Sequence, residues 1–480
     1  MSTPEQDKVP QKPQEQVISL YQGSKRIHPK MAKGRFANLR LLAILATQFV
    51  FYILPWFNWG GHQAVLFNIP DRRFYLFGIT LVPGDLIYLT GLLLVSAFGL
   101  FWWTTIAGRL WCGYACPQTV YTEIMLWIDH LVEGDRNKRL KLDKEPWNAR
   151  KIRIKFTKYL LIFLVCAWTG ISFAGWFTPI RELVPDLFHF KASGGALFAA
   201  CFYGFMTWLM AHIMREQVCK YMCPYARFQS AMFDHDTLII SYDEERGEPR
   251  GARKKSLTEA QLADMGDCIN CTQCVQVCPV GIDIRDGLQY ECIGCAACID
   301  ACDDIMDKMN MPRGLIRYTT ESVLKHECTD KDIPKRLARP RVLGYGAVLL
   351  LAVIGLLFGL STRQTMRIDV IKDRGVMVRE NKQGWLENAY NLRIINASEE
   401  DKVIDVKVSG FDDIALGGVP KGGLKAPGGQ TITVPVQVST IPEYADKGSH
   451  PIQFEFTYRN PNKPDDAPRK ITEEASFIGE

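Results

Sequence analysis

Apolar residues along this chain are gathered in blocks. A window of about 19 residues, long enough for 1.5 Å of helical rise per residue to cover roughly 30 Å of hydrocarbon, finds five such blocks near 41–59, 86–107, 159–177, 196–214 and 342–360. Each predicts a membrane-crossing helix. The first is interrupted by Thr47, Gln48 and Pro55. It follows a long polar stretch and lacks the small-residue cleavage site of a signal peptide, so a retained span is expected.

Beyond residue 361 the period changes from helical to two. Val403 to Val408, Thr431 to Val438 and Ile452 to Tyr458 alternate apolar with polar residues, and Gly417, Gly418, Pro420, Gly422 and Gly423 punctuate them. This predicts a β-sandwich of roughly 110 residues. It carries no cysteine and His450 as its sole histidine, so docking or scaffolding is its expected role. Asn396-Ala397-Ser398 fits a glycosylation acceptor, a pattern too common to weigh.

Basic residues orient the spans. Lys25, Arg26, Lys30, Lys33, Arg35 and Arg40 precede the first, and only Arg72 and Arg73 follow it; a run from Arg136 to Lys158 precedes the third, and only Arg181 and Lys191 follow. Lys331, Lys335, Arg336, Arg339 and Arg341 precede the fifth. The N-terminus and the segment from about 215 to 341 are therefore expected inside, with the β-rich tail outside.

Composition then changes the picture in one respect. Over 480 residues the chain is 47% hydrophobic and 23% charged, an ordinary globular average that conceals the segregation. The net charge of +5 follows from the loops just described. Nucleic-acid binding is excluded, because the basic runs hug membrane boundaries without interleaved stacking aromatics. The fifteen cysteines are the surplus. None falls in a segment expected outside, which argues against structural disulfides and for thiol chemistry.

Eight cysteines form two runs, Cys268-x2-Cys271-x2-Cys274-x3-Cys278-Pro279 and Cys292-x2-Cys295-x2-Cys298-x3-Cys302. This is the spacing of a bacterial-type module with two 4Fe–4S clusters, in which the fourth cysteine of each run reaches across to the other cluster. Cys268, Cys271, Cys274 and Cys302 are expected to hold one, and Cys292, Cys295, Cys298 and Cys278 the other. Asp303 replaces the proline in the second run. Zinc is the rival for any CxxC pair, but the duplicated register favours iron–sulfur.

Four more cysteines repeat a CxxxCP motif, Cys112 to Cys116 with Pro117 and Cys219 to Cys223 with Pro224, where the second and fourth spans end on the inner side. On a helix, i and i+4 share a face, so both thiols of each pair are expected to point one way. Two such pairs could hold a soft ion such as Cu(I), exchange thiol for disulfide, or dock the cluster module. Cys166, Cys201 and Cys328 have no partner spacing.

Weaker signals bound the chemistry. Met206, Met210 and Met214 make a stripe at i, i+4 spacing better explained by packing than by a copper relay. His212 could join the Cys219 site, although a helix-end histidine needs no ligand. It is the one histidine within a span, and no CxxCH exists, so haem is not expected. Neither a Rossmann GxGxxG nor a Walker loop supports nucleotide chemistry. Gly355-x3-Gly359 is a spacing on which two copies could pack as a homodimer.

Five spans, the paired CxxxCP motifs, Tyr242-Asp243 and Arg246-Gly247-Glu248-Pro249-Arg250-Gly251 leading to the eight-cysteine module, and a terminal β-domain together resemble the CcoG family, also called FixG or RdxA. The resemblance covers the chain from about residue 20 onward. It implies a cupric reductase that converts Cu(II) to Cu(I) for the copper centre of a bacterial cbb-type cytochrome c oxidase. It further implies an immunoglobulin-like C-terminal domain and, as partners, the oxidase assembly machinery with copper chaperones or transporters. The membrane part is also similar to NapH and NosR proteins, though the flavin-attachment threonine motif, flavin domain and extra spans of NosR are missing.

The expected architecture is a five-helix transmembrane bundle of the bacterial inner membrane with an inserted dicluster domain. Its parts are a cytoplasmic tail (1–36), a four-helix region with both CxxxCP motifs (37–225), a cytoplasmic cluster domain (226–340), a fifth helix (341–361) and a periplasmic Ig-like sandwich (362–480). Cys112, Cys116, Cys219 and Cys223 are the expected reaction site, with copper as substrate and the electron donor unidentified. The alternatives are a quinol-linked electron-transfer subunit and a non-redox assembly scaffold.

Overall fold

The computed structural model describes residues 26–253, 264–373, 378–381, 383–398, 400–461 and 468–479. Residues 1–25 of the expected tail lie outside them. Eight helices build the bundle and the site: α1 (Arg35–Ile53), α2 (Leu86–Ala107), α3 (Pro117–Glu133), α4 (Ala149–Ala174), α5 (Gly194–Thr207), α6 (Pro224–Met232), α7 (Ala297–Lys308) and α8 (Pro340–Ser361). Five segments, built on α1, α2, α4, α5 and α8, are long and apolar enough to cross a membrane. They match the five blocks. Two start earlier than the apolar pattern indicates, α1 at Arg35 and α4 at Ala149. A hydropathy window sees only the apolar part of a helix, whereas the hydrogen-bonded coil runs on into charged turns. In α4 it runs back to Asn148, whose side chain accepts from Lys151 N at 2.8 Å as an N-cap.

The bundle pairs α4 with α5 and α2 with α8. At the first contact Gly204 lies so close to α4 that a Cβ would stand 2.9 Å from the Cys166 carbonyl oxygen. At the second, Tyr88 donates to the Gly359 carbonyl at 3.1 Å, and a Cβ on Gly359 would meet the same ring. Gly359 of the GxxxG spacing is thus used inside the chain, while Gly355 faces open space. Where α3 packs on α4, Asp129 and Glu133 are buried among cations. Lys158 Nζ reaches Asp129 at 2.8 Å and Glu133 at 3.1 Å, and Arg215 Nη2 reaches Asp129 at 2.7 Å.

At one end of the bundle, β1 (Val65–Asn68), β2 (Arg73–Leu76) and β3 (Ile79–Leu81) make a small antiparallel sheet. Its strands are too short for periodicity to announce them. At the other end the cysteine-rich module is closed by β4 (Ile239–Tyr242) pairing antiparallel with β5 (Ile316–Thr319). Asp300 on α7 accepts from Phe36 N at 3.2 Å and Ala37 N at 2.7 Å, so the module caps the N-terminus of α1 and meets its positive end with a carboxylate. Lys30 N donates to Gln276 O at 2.8 Å and Leu238 N to Ile106 O at 3.1 Å. The described part of the expected tail is therefore docked on the module.

The C-terminal domain is a two-sheet sandwich. With β6 (Met366–Lys372), β7 (Leu386–Asn396), β8 (Lys402–Ser409), β9 (Ile414–Gly417), β10 (Leu424–Ala426), β11 (Thr431–Thr440), β12 (Gly448–Arg459) and β13 (Arg469–Gly479), the sheet orders are β9-β11-β7-β6 and β10-β8-β12-β13. Pleating sends alternate residues inward: Tyr390, Leu392, Ile394, Val436 and Val438 from one sheet meet Ile404, Phe454, Phe456 and Phe477 from the other. Buried polar groups bridge the sheets, with Tyr390 OH donating to Ser476 O at 2.8 Å and Asn388 Nδ2 to Ile478 O at 2.9 Å. Asn396 is also buried, donating to Glu400 O and Ala426 O at 2.9 Å, which removes it as a glycosylation acceptor.

Candidate functional site

The two CxxxCP motifs fold alike, but not as one helical face. Cys112 lies in a short helix, Leu110–Tyr114, and Cys219 in a π-helical turn, Val218–Met222. Cys116 and Cys223 are extended, with φ, ψ of −62°, 127° and −73°, 112°, and each is the N-cap of a helix that its following proline opens, α3 and α6. Proline is pre-shaped for the first helical position and cannot continue a preceding coil. The expectation that each pair shares one face is thereby overturned: every pair straddles a break, and its second thiol sits at the positive end of a new helix. The methionine stripe fails similarly, because Trp208–Met214 is π-helical and loses the i, i+4 register.

The breaks bring the four thiols together electrostatically. Burial and then Cys116 push the Cys112 thiol up to about 12. Burial and then Cys116, Cys112 and Cys223 do the same to Cys219. Burial also raises Cys116, against backbone N–H groups of Thr119 and Gln118 that favour its thiolate. Gln229, 1% exposed, donates to Cys112 Sγ at 3.6 Å. Among the described residues no three His, Cys, Asp or Glu side chains stand where a single metal ion would bind them all. His212 is seated with its ring edge-on to Tyr159, 5.7 Å between centroids.

The two cysteine runs form two small cavities. Cys268, Cys271, Cys274 and Cys302 line one, and Cys278, Cys292, Cys295 and Cys298 the other, which Cys274 also borders. The crossed grouping expected from the spacing is thus the grouping in space. Both loops share an uncommon backbone: Asn270 and Thr272 have φ of 54° and 57°, and Gly294 and Ala296 have 67° and 59°. Against burial, the backbone N–H of Gly294 favours the Cys292 thiolate and those of Ile282, Val280 and Gly281 the Cys278 thiolate, as in the amide-lined concavities that anionic clusters occupy. Apolar walls such as Ile284, Ile293 and Val280 complete the second cavity. Thiols, amides and dry walls fit 4Fe–4S clusters.

The first thiol of each CxxxCP motif reaches the second cavity. A Cβ on Gly113 would lie 2.9 Å from Cys295 N, from Cys295 Cα and from the Gly294 carbonyl carbon, so only glycine lets this turn approach the loop. Cys112 and Cys219 pack on the same apolar cluster as Cys278, Cys292 and Cys298. Arg109, 7% exposed, acts on Cys112, Cys219 and Cys292 alike, lowering each, and its Nη2 donates to Ala226 O at 2.5 Å. Sequence reasoning missed Arg109, Gly113 and Gln229. A signal existed for the first, a buried cation directly after an apolar span; none existed for Gln229, which only the fold brings to Cys112.

Comparison with known proteins agrees with this geometry. Residues 214–321 match the 4Fe-4S dicluster domain, residues 89–141 a 4Fe-4S binding domain, and residues 356–480 the Ig-like fold at the C-terminus of FixG. The chain is 37% identical over 423 residues to the nitrogen fixation protein FixG of Rhizobium meliloti (strain 1021), covering 82% of this chain and 80% of that one. It is 37% identical over 455 residues to the protein RdxB of Cereibacter sphaeroides, covering 93% and 94%. It is 35% identical over 399 residues to RdxA of the same organism, covering 82% and 84%. With two cysteine-lined cavities, a thiol quartet against one of them, five apolar helices and these relatives, the chain belongs to the FixG/RdxA family and is a membrane iron–sulfur electron-transfer protein.

Proposed function

We propose that this chain is a cupric reductase, converting Cu(II) to Cu(I) at Cys112, Cys116, Cys219 and Cys223 for copper-centre assembly of a cbb-type cytochrome c oxidase. Two 4Fe–4S clusters, held by Cys268, Cys271, Cys274 and Cys302 and by Cys278, Cys292, Cys295 and Cys298, would supply electrons one at a time. One electron is what Cu(II) needs. The observation that carries the reading is the backbone contact of Gly113 with Cys295, which brings the Cys112 turn against the second cavity.

Each part of the quartet has a chemical task. Soft thiolate donors bind Cu(I) in preference to Cu(II), so binding itself favours the reduced ion. The thiols must lose protons to bind, and Arg109 together with the amides of Gln118 and Thr119 favours the thiolate forms. The basic flanks of the spans support a cytoplasmic N-terminus and cluster module and a periplasmic sandwich. There the sandwich would meet the oxidase assembly machinery, and copper chaperones or transporters would receive Cu(I).

The test is anaerobic reduction of Cu(II) by purified, dithionite-charged protein with a Cu(I)-specific chromophore as trap. Serine at Cys112, Cys116, Cys219 and Cys223 together is expected to abolish Cu(I) formation with iron and sulfide content unchanged. Unchanged turnover removes the quartet from the reaction.

A further inference from the structure

A cavity of about 400 Å³ opens where α1, α3 and the cluster module meet. It lies apart from the quartet and from both cysteine-lined cavities. Its inner part is apolar, with Ile44, Leu126 and Trp127, and its rim is polar, with Lys30, Lys33 and Asn38. Arg40, Leu41 and Ile44 of the lining lie where α1 enters its apolar stretch, so the cavity spans the change from charged to apolar chain on that candidate span. At the junction of the two halves Arg40 Nη2 donates to Glu123 Oε2 at 2.6 Å, and the two side chains are only 9% and 14% exposed. Arg40 Nε, also buried, has no hydrogen-bond partner among the described residues.

One wall comes from the segments that carry two of the second cluster's thiols. Val277 and Pro279 flank Cys278, and Ala297 precedes Cys298. Both of these thiols line the cavity in contact with the CxxxCP quartet. A redox-active molecule bound here would thus lie against the segments that hold the second cluster's thiols.

We propose that this cavity binds a membrane hydroquinone, the electron donor of the relay. A hydroquinone is amphiphilic, as the cavity is, and it releases two electrons and two protons together. Arg40 Nε donates to one ring oxygen, and the Glu123 carboxylate accepts a proton from a ring hydroxyl. Both O–H bonds break and the ring becomes the quinone. One proton passes to Glu123 and the other to water at the Lys30 and Lys33 rim. The two electrons equal one for each cysteine-lined cavity's cluster. A phospholipid phosphate suits the same rim less well, because at the floor it would meet the Glu123 carboxylate. The inference rests on the relay reading but not on copper.

The experiment uses the full-length holoprotein in detergent with a photoreactive azido-ubiquinone carrying a short tail. Cross-links are expected in peptides spanning 29–44 and 123–127, competed by decylubiquinone and not by phosphatidylglycerol. Leu126→Trp, which fills the inner half, is expected to abolish labelling, and Leu41→Trp at the edge to weaken it at least tenfold. Glu123→Gln is expected to cut the maximal rate of cluster reduction by decylubiquinol at least tenfold while half-saturation shifts less than threefold. Complete reduction by dithionite shows each variant to be folded. Labelling elsewhere, competition by the phospholipid instead, or quinol reduction indifferent to all three substitutions overturns the proposal. Loss of copper reduction with quinol binding intact would overturn the copper reading alone.

Discussion

At the scale of single residues the decisive position is Gly113. Its α-hydrogen faces the backbone of Gly294 and Cys295, and a methyl there would stand 2.9 Å from three backbone atoms that cannot swing aside. Overpacking of this kind costs about 1–3 kcal/mol, and the relief available is a separation of the turn from the loop. Gly113→Ala is therefore expected to slow copper reduction by at least about tenfold, the rate equivalent of roughly 1.4 kcal/mol, while iron content stays at the wild-type level. Stopped-flow measurement of Cu(I) formation from dithionite-charged protein decides it; an unchanged rate would mean that this contact does not set the electron path. Cys295 lies 182 positions away in the sequence, so nothing local marks Gly113 as the place where the two sites touch.

At the scale of elements, α3 and α4 are locked by buried charge, and this lock has a pH signature. Burial alone would raise the Asp129 carboxyl, but Arg215 and Lys158 outweigh it and hold the group at about 2, below its ordinary 3.8. A depressed carboxylate contributes stability that is fully present above the ordinary value and is lost as pH falls through the folded one. Each tenfold change in proton affinity is worth roughly 1.4 kcal/mol, so about 2 kcal/mol should disappear between about pH 4 and 2. Asp129→Asn leaves the buried Arg215 without its carboxylate and Lys158 with Glu133 alone, and is expected to cost about 3–5 kcal/mol at neutral pH. Its thermal transition should also lose most of the acid dependence seen in the wild type over that window; an identical pH slope in both proteins would contradict the assignment. The apolar cores of the elements were legible in the sequence, because hydropathy and period two report burial directly. The strands Lys402–Ser409, Thr431–Thr440 and Gly448–Arg459 contain the alternating runs and extend at most four residues beyond them at either end. The crossed cysteine grouping was legible too, since spacing fixes which thiols can reach each other. The face shared by each CxxxCP pair was not. Spacing assumes one continuous coil, and Pro117 and Pro224 each start another. The partnership of Asp300 with the α1 N-terminus was invisible for a different reason, being a contact across more than 260 positions.

At the scale of the whole molecule, the bundle separates two ends that share no chemistry. The cluster module and the quartet occupy one end, and the small β1–β3 sheet meets the lead-in to the sandwich at the other. Arg363, the second residue after α8, fixes that meeting: its Nη2 donates to Asp85 at 2.5 Å and to Thr80 O at 2.6 Å, with the ion-paired side chains 8% and 12% exposed. Asp85 in turn accepts from Val82 N at 3.0 Å, so one carboxylate ties the sheet, the start of α2 and the sandwich linker together. Removing one partner of a buried pair costs about 3–5 kcal/mol, and here the loss falls on orientation, since the sandwich has its own core of Phe454, Phe456, Phe477 and their neighbours. Arg363→Ala is thus expected to leave the sandwich folded but loosely attached, with proteolysis of the 362–365 linker accelerated at least tenfold. Because no thiol lies at this end, dithionite-driven copper reduction should stay within about twofold of wild type. If the rate falls together with the attachment, the two ends are mechanically coupled through α2 and α8, and the sandwich must be counted as part of the redox machine.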